Sequence, residues 1–253
     1  AIAADFSGTV LRFLRGFLYF CIRKQKKQRV VSYHVNPVGS LDKTLFFCRD
    51  SNNEHMDRTT EQPKLWTGSF LRICLVNLFI FVNFHSLLPT FPFFVTSLGG
   101  DAMTIGLATA LFSVASIVSR PFVGWLTDTR GRRTLLMSGL IGMALIPMGY
   151  FVSAGIALAV VLRTAHGVFH AASSNAASTW VTDIIPHSRM GEGLGMYGLS
   201  MAVSTAVAPA MGLVVMNTWG FRPLFAIAAL VALAAMITGA GIRPRNYTMS
   251  DAP

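Results

Sequence analysis

Six long apolar stretches occupy the chain from residue 70 onward, and they constrain its fold more than any other feature. They cover residues 70–98, 102–126, 135–152, 156–184, 194–216 and 224–242. Each is long enough to cross a hydrocarbon layer about 30 Å thick as a helix. A chain in lipid must satisfy its backbone polar groups internally, and the alternation of a membrane β-barrel is not seen. The sequence therefore predicts an all-α membrane protein with six transmembrane helices.

Charged residues are concentrated before the first apolar stretch. Residues 1–66 carry eleven Lys/Arg and six Asp/Glu, whereas residues 67–242 carry eight Arg, no Lys and four acidic residues. The net charge of +10 is thus split between two dissimilar regions and does not indicate a nucleic-acid partner.

Basic residues lie in alternate connections between the stretches. One side has Lys64, Arg130, Arg132, Arg133, Arg189, Arg243 and Arg245, and the opposite side has only Arg222. Lys and Arg in short loops favour the cytoplasmic side of a membrane. We therefore expect a multi-pass protein of the plasma membrane, surrounded by the lipid bilayer, with both termini in the cytoplasm.

The chain divides into three parts by composition. Residues 1–66 form a basic N-terminal extension, in which the apolar run 9–22 is too short to span a membrane. An interfacial helix, a disordered tail, a seventh span and a segment foreign to the native protein all remain open for it. Residues 67–245 form the predicted helical bundle, and residues 246–253 form a short cytoplasmic tail.

A short motif joins the second and third stretches and reads Gly-Trp-Leu-Thr-Asp-Thr-Arg-Gly-Arg-Arg over residues 124–133. Gly124 allows close helix approach, Gly131 permits a tight turn, and Asp128 can bind a helix N-terminus through its dipole. The motif resembles the signature between helices 2 and 3 of the major facilitator superfamily. The matching residues are Gly124, Leu126, Asp128, Gly131, Arg132 and Arg133.

This resemblance implies the N-terminal six-helix half of a twelve-helix transporter, built from two inverted three-helix repeats. Its partner would be a missing C-terminal six-helix half or a second copy. In the family an acid at the end of helix 4 pairs with an arginine of the signature. Asp183 would accordingly pair with Arg132 and form a charge cluster with Asp128; the alternative is a single exposed ion pair worth less than about 1 kcal/mol.

Arg163 lies inside the fourth stretch, far from either end. His166, Gly167, His170 and Ser174 follow at helical spacing, so that all five share one helix face. Because an intramembrane arginine is functional by default, we expect this face to line a cavity on the substrate and proton pathway. The stretch resembles a superfamily motif whose arginine is associated with proton coupling. Alternatively, the two histidines only bond to neighbouring helices.

Polar residues of the first stretch add further candidates. Asn83 and His85 fall on nearly opposite faces of a helix. The three polar residues Asn77, Asn83 and His85 therefore cannot all line one pathway. We expect Asn77 and His85 to line it.

Small residues recur along the fifth stretch. Close helix packing is predicted for two neighbouring faces, one formed by Gly191, Gly195, Gly198, Ala202 and Ala206 and the other by Ser204, Ala208 and Gly212. With Pro209, the residues of the second face partly resemble the Gly-Pro motif of drug/proton antiporters, although Ser204, Ala208 and Leu213 replace glycines of that motif. The alternative is a packing and kink element.

The favoured function is proton-coupled efflux of small molecules by alternating access, with protons as the coupling ion and no other cofactor. Uptake of sugar-like metabolites is the alternative within transport, and a truncated, non-transporting membrane protein is the alternative of another class. We expect no enzyme and no metal site, since no nucleophile and base set, phosphate loop or metal cluster is apparent. We also expect that six helices alone do not transport, because the Arg163 face would lack a facing wall.

Overall fold

A computed structural model of the 253-residue chain describes residues 64–153 and 155–242. These residues form six long helices: α1 Gly68–Ser97, α2 Ala102–Arg130, α3 Arg132–Val152, α4 Ile156–Ile184, α5 Met190–Trp219 and α6 Phe221–Ala240. All six are long and apolar enough to cross a membrane, and the described residues contain no strand. The predicted all-α bundle is confirmed. The predictions for residues 1–63, for Arg243 and Arg245, and for residues 246–253 lie outside the described residues.

Local capping explains where the helices begin and end. Asp101 precedes α2. Its side chain accepts a hydrogen bond of 2.6 Å from the hydroxyl of Thr104 and one of 2.9 Å from the backbone N–H of Thr104. Both bonds lower the pKa of the Asp101 carboxyl below its ordinary value, and the bond from the Thr104 hydroxyl has the larger effect. Single glycines with φ of +86°, Gly131 and Gly220, separate α2 from α3 and α5 from α6. Because only glycine adopts this backbone conformation readily, each allows the chain to reverse within one residue.

The packing of the helices has an internal two-fold pattern. Helix α1 packs chiefly on α5 and α6, and α4 packs chiefly on α2 and α3. Exchanging α1–α3 with α4–α6 therefore leaves the set of main contacts unchanged. Because each triplet has an odd number of spans, the second triplet enters the membrane from the opposite side. The fold is thus the pair of inverted three-helix repeats that the sequence predicted.

Two apolar clusters hold the bundle together, one toward each end. The first includes Ile73, Leu136 and Val181, and the second includes Phe91, Tyr150 and Phe225. A group of buried and half-buried polar side chains, here called the polar layer, lies inside the bundle, and part of it contacts the second cluster through Phe91. It consists of Asn83, His85, Arg163, His166 and His170.

Helix α5 packs through one of its two predicted small-residue faces and not through the other. A Cβ atom on Gly191, Gly195 or Gly198 would meet no neighbour within 4 Å, so the prediction of close packing on that face is wrong for the described helices. The neighbouring face packs instead. Ala208 is completely buried, and a Cβ on Gly212 would collide with the backbone of Ser86 in α1.

Helices α2 and α5 are also the least buried of the six. Their outer faces carry large exposed apolar side chains, among them Leu107, Ile117, Val118, Phe122, Trp125, Leu194, Leu199 and Met201. These two faces are therefore the parts of the bundle that this chain leaves without protein neighbours.

Candidate functional site

The motif between α2 and α3 ties three helices together at one end of the bundle. This end, here called the basic end, carries Arg130, Arg132, Arg133, Asp183 and Arg189. Arg132, at the start of α3, forms an ion pair with Asp183 at the end of α4, and about a third of each side chain is exposed. Arg133 donates a hydrogen bond of 3.0 Å to the carbonyl oxygen of Ala240, the last residue of α6. The turn at Gly131 thus aims two neighbouring arginines at two different helices.

A further arginine supports the same end of α6, and sequence reasoning missed it. Arg72 of α1 donates a hydrogen bond to the carbonyl oxygen of Gly241. The final carbonyls of a helix lack intrahelical donors and carry a partial negative charge, so arginines satisfy them well. Only the folded chain shows this role, because the two residues are 169 positions apart.

Two other motif residues make no such contacts. Asp128 is exposed and forms no ion pair or hydrogen bond with the described residues. It therefore does not join the pair of Arg132 and Asp183 in a charge cluster. A Cβ atom on Gly124 would have open space around it, which means that the close helix approach expected there is absent from this six-helix bundle.

Arg163 belongs to the polar layer, and only 1% of its surface is exposed. Its guanidinium carbon lies 4.7 Å from the ring centre of Phe91 in α1 and 4.6 Å from that of Phe112 in α2. One turn further along α4, a Cβ on Gly167 would collide with the carbonyl of Phe112, so glycine lets α2 approach closely. The expectation that this face lacks a wall is wrong, because α1 and α2 enclose it.

The two histidines of α4 are buried beside Arg163. The ring of His170 lies 4.5 Å from that of Phe84, and the ring of His166 lies 6.0 Å from that of Phe112. Neither ring nitrogen of His166 has a hydrogen-bond partner, and Nε2 of His170 has none. These atoms therefore do not make the bonds to neighbouring helices that the alternative required.

His85 of α1 borders the same layer and is half-buried. Its ring stacks on Phe81 at 5.8 Å, and its Nε2 lies 3.1 Å from the hydroxyl of Thr205 in α5. The aromatic rings around the histidines and Arg163 were missed by sequence reasoning. A phenylalanine in an apolar stretch carries no signal that separates a site residue from a core residue.

Asparagine side chains of α1 are used for packing between helices. Asn77 donates a hydrogen bond of 2.8 Å to the hydroxyl of Ser200 in α5, and Asn83 donates one of 2.7 Å to the carbonyl of Ala228 in α6. Both asparagines are 1% exposed. The structure therefore places Asn77 in the interface between α1 and α5. It lies one helical turn after Ile73, which belongs to the first apolar cluster.

The helix 5 motif joins the same interface. The hydroxyl of Ser204 donates a hydrogen bond of 3.0 Å to the carbonyl of Leu78, and Ala208 and Gly212 continue the contact toward the opposite end of α1. Pro209 lies within α5 and is half-buried. This geometry matches the packing element that the sequence left open as an alternative.

Two inverted triplets of apolar helices that bury ionisable side chains are the arrangement found in domains of secondary transporters. The family model of the Major Facilitator Superfamily matches residues 73–253. The chain belongs to this superfamily of membrane transporters.

Similar proteins include several named for drug resistance. The chain is 27% identical over 189 residues to "Multidrug resistance protein MdtG" of Proteus mirabilis, a match that covers 73% of this chain and 45% of that protein. It is 23% identical over 180 residues to "Multidrug resistance protein 2" of Bacillus subtilis, covering 71% and 45%. The chain thus spans about half the length of the curated relatives it matches.

Solved structures share the fold. The human organic anion transporter MFSD10 superposes with a TM-score of 0.59 at 18% identity, covering 72% of this chain and 49% of that one. A D-xylose–proton symporter superposes with the same TM-score at 13% identity and with the same coverage. At these identities the likeness concerns the fold alone.

Proposed function

We propose that this chain is one domain of a transporter that exports small molecules in exchange for protons by alternating access. The observation that carries the proposal is the polar layer, in which Arg163 and two histidines are buried inside a bundle of apolar helices long enough to cross a membrane. Burying such groups is costly, so they are retained in membrane helices mainly where they serve a pathway. The relatives named for multidrug resistance support export of small molecules.

Transport by this fold requires a second domain, because alternating access in such transporters depends on two halves that rock against each other. The exposed apolar faces of α2 and α5 are the surfaces that a second domain would cover. Its source would be a C-terminal six-helix half or a second copy of this chain. Helices α1 and α2 of this chain already enclose Arg163. The need for a partner therefore rests on the exposed apolar faces of α2 and α5.

The basic end would act as a cytoplasmic gate. The ion pair of Arg132 with Asp183 and the bond of Arg133 to α6 would hold α3, α4 and α6 as one body while the domains rock. Asp128, which is exposed and unpaired within the described residues, would bind a helix N-terminus of the second domain. Gly124, with open space around it, would allow that helix to approach.

Flux measurements test this proposal. The chain is produced in bacterial cells, alone or together with the C-terminal half of the Proteus mirabilis relative, and inverted and right-side-out membrane vesicles are prepared. A proton gradient is applied, and a panel of dye-like compounds and simple sugars is followed. Saturable, gradient-dependent accumulation of dyes in inverted vesicles is the expected result for export.

Variants connect the flux to the polar layer. Arg163→Ala should abolish gradient-dependent flux while the amount of inserted protein stays the same, because the bundle would no longer hold a buried positive charge at this place. Arg222→Ala, which removes an exposed arginine at the far end, serves as the control and should transport normally. Sugar uptake in right-side-out vesicles would replace the export proposal, and absence of flux with both preparations would identify a non-transporting membrane protein.

A further inference from the structure

The donors around the polar layer lack acceptors. Arg163, His166, His170 and the nearby Tyr150 of α3 are all at least nine-tenths buried, with exposed fractions of 1%, 0%, 9% and 2%. The atoms without a partner at hydrogen-bonding geometry are Nε and Nη1 of Arg163, both ring nitrogens of His166, Nε2 of His170 and the hydroxyl of Tyr150, which nevertheless lies close enough to Arg163 to interact with its charge. Buried polar atoms are nearly always satisfied in proteins, so such a group indicates a place where something else binds.

The charge at this place is also uncompensated. Arginine stays protonated in proteins, so Arg163 carries a full positive charge inside the bundle. The acidic residues of the described part are Asp101, Asp128, Asp183 and Glu192, and each lies at a helix end. Asp183 pairs with Arg132 and Glu192 pairs with Arg189. Within the described residues, therefore, no carboxylate neutralises Arg163.

The geometry of the guanidinium defines how a ligand can reach it. Phe91 and Phe112 flank it, with their ring centres 4.7 and 4.6 Å from the guanidinium carbon. Such contacts attract the positive charge to the ring faces, and Nε and Nη1 at the edge of the guanidinium still have no hydrogen-bond acceptor. Helices α1 and α2, which supply the two rings, pack only weakly on each other. Separation of these two helices would open the edge to a ligand.

The hydrogen-bond donors at the edge of the Arg163 guanidinium determine which class of ligand can bind there. Arginine donates only, the Tyr150 hydroxyl can donate, and each neutral histidine carries one N–H. A carboxylate accepts several such bonds, and its planar shape suits a guanidinium. The rings of Phe84 and Phe112, stacked at 5.2 Å beside the histidines, offer an apolar surface for the rest of the molecule.

We propose that Arg163, Tyr150 and the flanking phenylalanines form a binding site for organic anions, with a carboxylate on the arginine edge and an aromatic or apolar body against Phe84 and Phe112. This names the substrate class of the proposed transporter and rests on that function for its physiological meaning. Every residue of the site belongs to this chain. Binding is therefore expected without a second domain and without flux.

Three probes that differ in one group test the proposal. The full chain is purified into nanodiscs of phosphatidylcholine, and binding of 2-naphthoate, 2-naphthamide and 2-naphthylmethylammonium is measured by equilibrium dialysis at pH 7.5. The naphthoate should bind about tenfold more tightly than the amide of the same shape, because only the former makes charge-assisted hydrogen bonds. The ammonium compound should bind more weakly than either.

Variants assign the preference to the site. In Arg163→Gln the preference of naphthoate over naphthamide should fall to about twofold or less, since the charged donor is lost. In Tyr150→Phe, which removes one hydroxyl and keeps the ring, naphthoate affinity should fall about threefold with amide affinity unchanged. Arg222→Gln, an exposed charge far from the layer, should keep the full preference and controls for surface charge.

Equal affinity of naphthoate and naphthamide in the unmodified chain, or no binding of either, would overturn the proposal, as would a preference that survives Arg163→Gln. If Arg163→Gln does not fold, judged by size exclusion and circular dichroism, Tyr150→Phe decides, and an unchanged naphthoate affinity would overturn the assignment. Proton-linked flux without an anion preference would refute only this inference. An anion preference without flux would support it and refute only the transport proposal.

Discussion

Adding a single methyl group at Gly212 should separate α1 from α5. A Cβ atom there would lie 3.0 Å from both Cα and the carbonyl carbon of Ser86, and closer still to its carbonyl oxygen. All three are backbone atoms, so no side-chain rotation relieves the collision. Ordinary van der Waals contact begins at 3.4 Å and the carbonyl oxygen lies far inside that limit, so α1 must retreat by about 1 Å.

The cost follows from what this interface contains. A gap of about 1 Å forfeits about half of the dispersion energy of the atoms it separates. The same retreat lengthens the hydrogen bond from Ser204 to the Leu78 carbonyl, which is 3.0 Å in the native packing. Overpacking of this kind costs about 1–3 kcal/mol in protein cores, and we expect Gly212→Ala to fall within that range.

Gly198→Ala is a matched control on the same helix. Its new methyl group meets no atom within 4 Å, so it experiences only the helix propensity that both variants share. In a helix interior that change stabilises by about 0.5–1 kcal/mol. The difference between the two variants therefore isolates the steric cost.

Unfolding in mixed micelles of increasing SDS content, followed by tryptophan fluorescence, gives the free energy of unfolding of each variant. Gly212→Ala should lie about 1–3 kcal/mol below Gly198→Ala. If the two variants are equally stable, or if Gly198→Ala is the less stable one, the packing face assigned to α5 is wrong and the glycine-rich face is the buried one.

Three further outcomes are expected. A double-mutant cycle of Arg132→Ala and Asp183→Ala should give a coupling energy below about 1 kcal/mol that shrinks with added salt, because solvent reaches both side chains; a large, salt-independent coupling would contradict this geometry. The same kind of cycle for Asn77→Ala and Ser200→Ala should give about 0.6 kcal/mol without salt dependence, since the pair is buried and uncharged, and zero coupling would refute the bond. The pKa of Asp101 is lower in the folded than in the unfolded chain, so its cap stabilises the fold above the ordinary value of 3.8 and this contribution is lost as the pH falls through the folded pKa. Thermal unfolding between pH 2 and 6 should accordingly show a weaker acid loss for Asp101→Asn than for the unmodified chain.

Much of the basic end could be read from local sequence. Gly131 marks the turn because other residues rarely adopt the positive φ angle that this position requires. The pairing of Arg132 with Asp183 follows from the resemblance to the superfamily signature. The partners of Arg72 and Arg133 could not be read in the same way. Both bind the final carbonyls of α6, which are backbone atoms and leave no mark in the sequence.

Sequence alone determined the six helices, their order and the family, because each depends on properties that a single segment carries. A stretch of sufficient length and apolarity must become a helix in lipid whatever its neighbours do. Tertiary structure decided which face of each helix is used. The glycine-rich face of α5 is exposed and the Ser204 face is packed, although both contain small residues suited to close approach.

The same distinction applies to the polar layer. The periodicity of α4 places Arg163, His166 and His170 on one face, but it cannot say whether that face meets water, lipid or protein. Phe91 and Phe112, from two other helices, enclose the arginine and leave its edge atoms without partners. Whether a buried charge is enclosed or open depends on side chains distant in sequence, and only their arrangement in space brings them together.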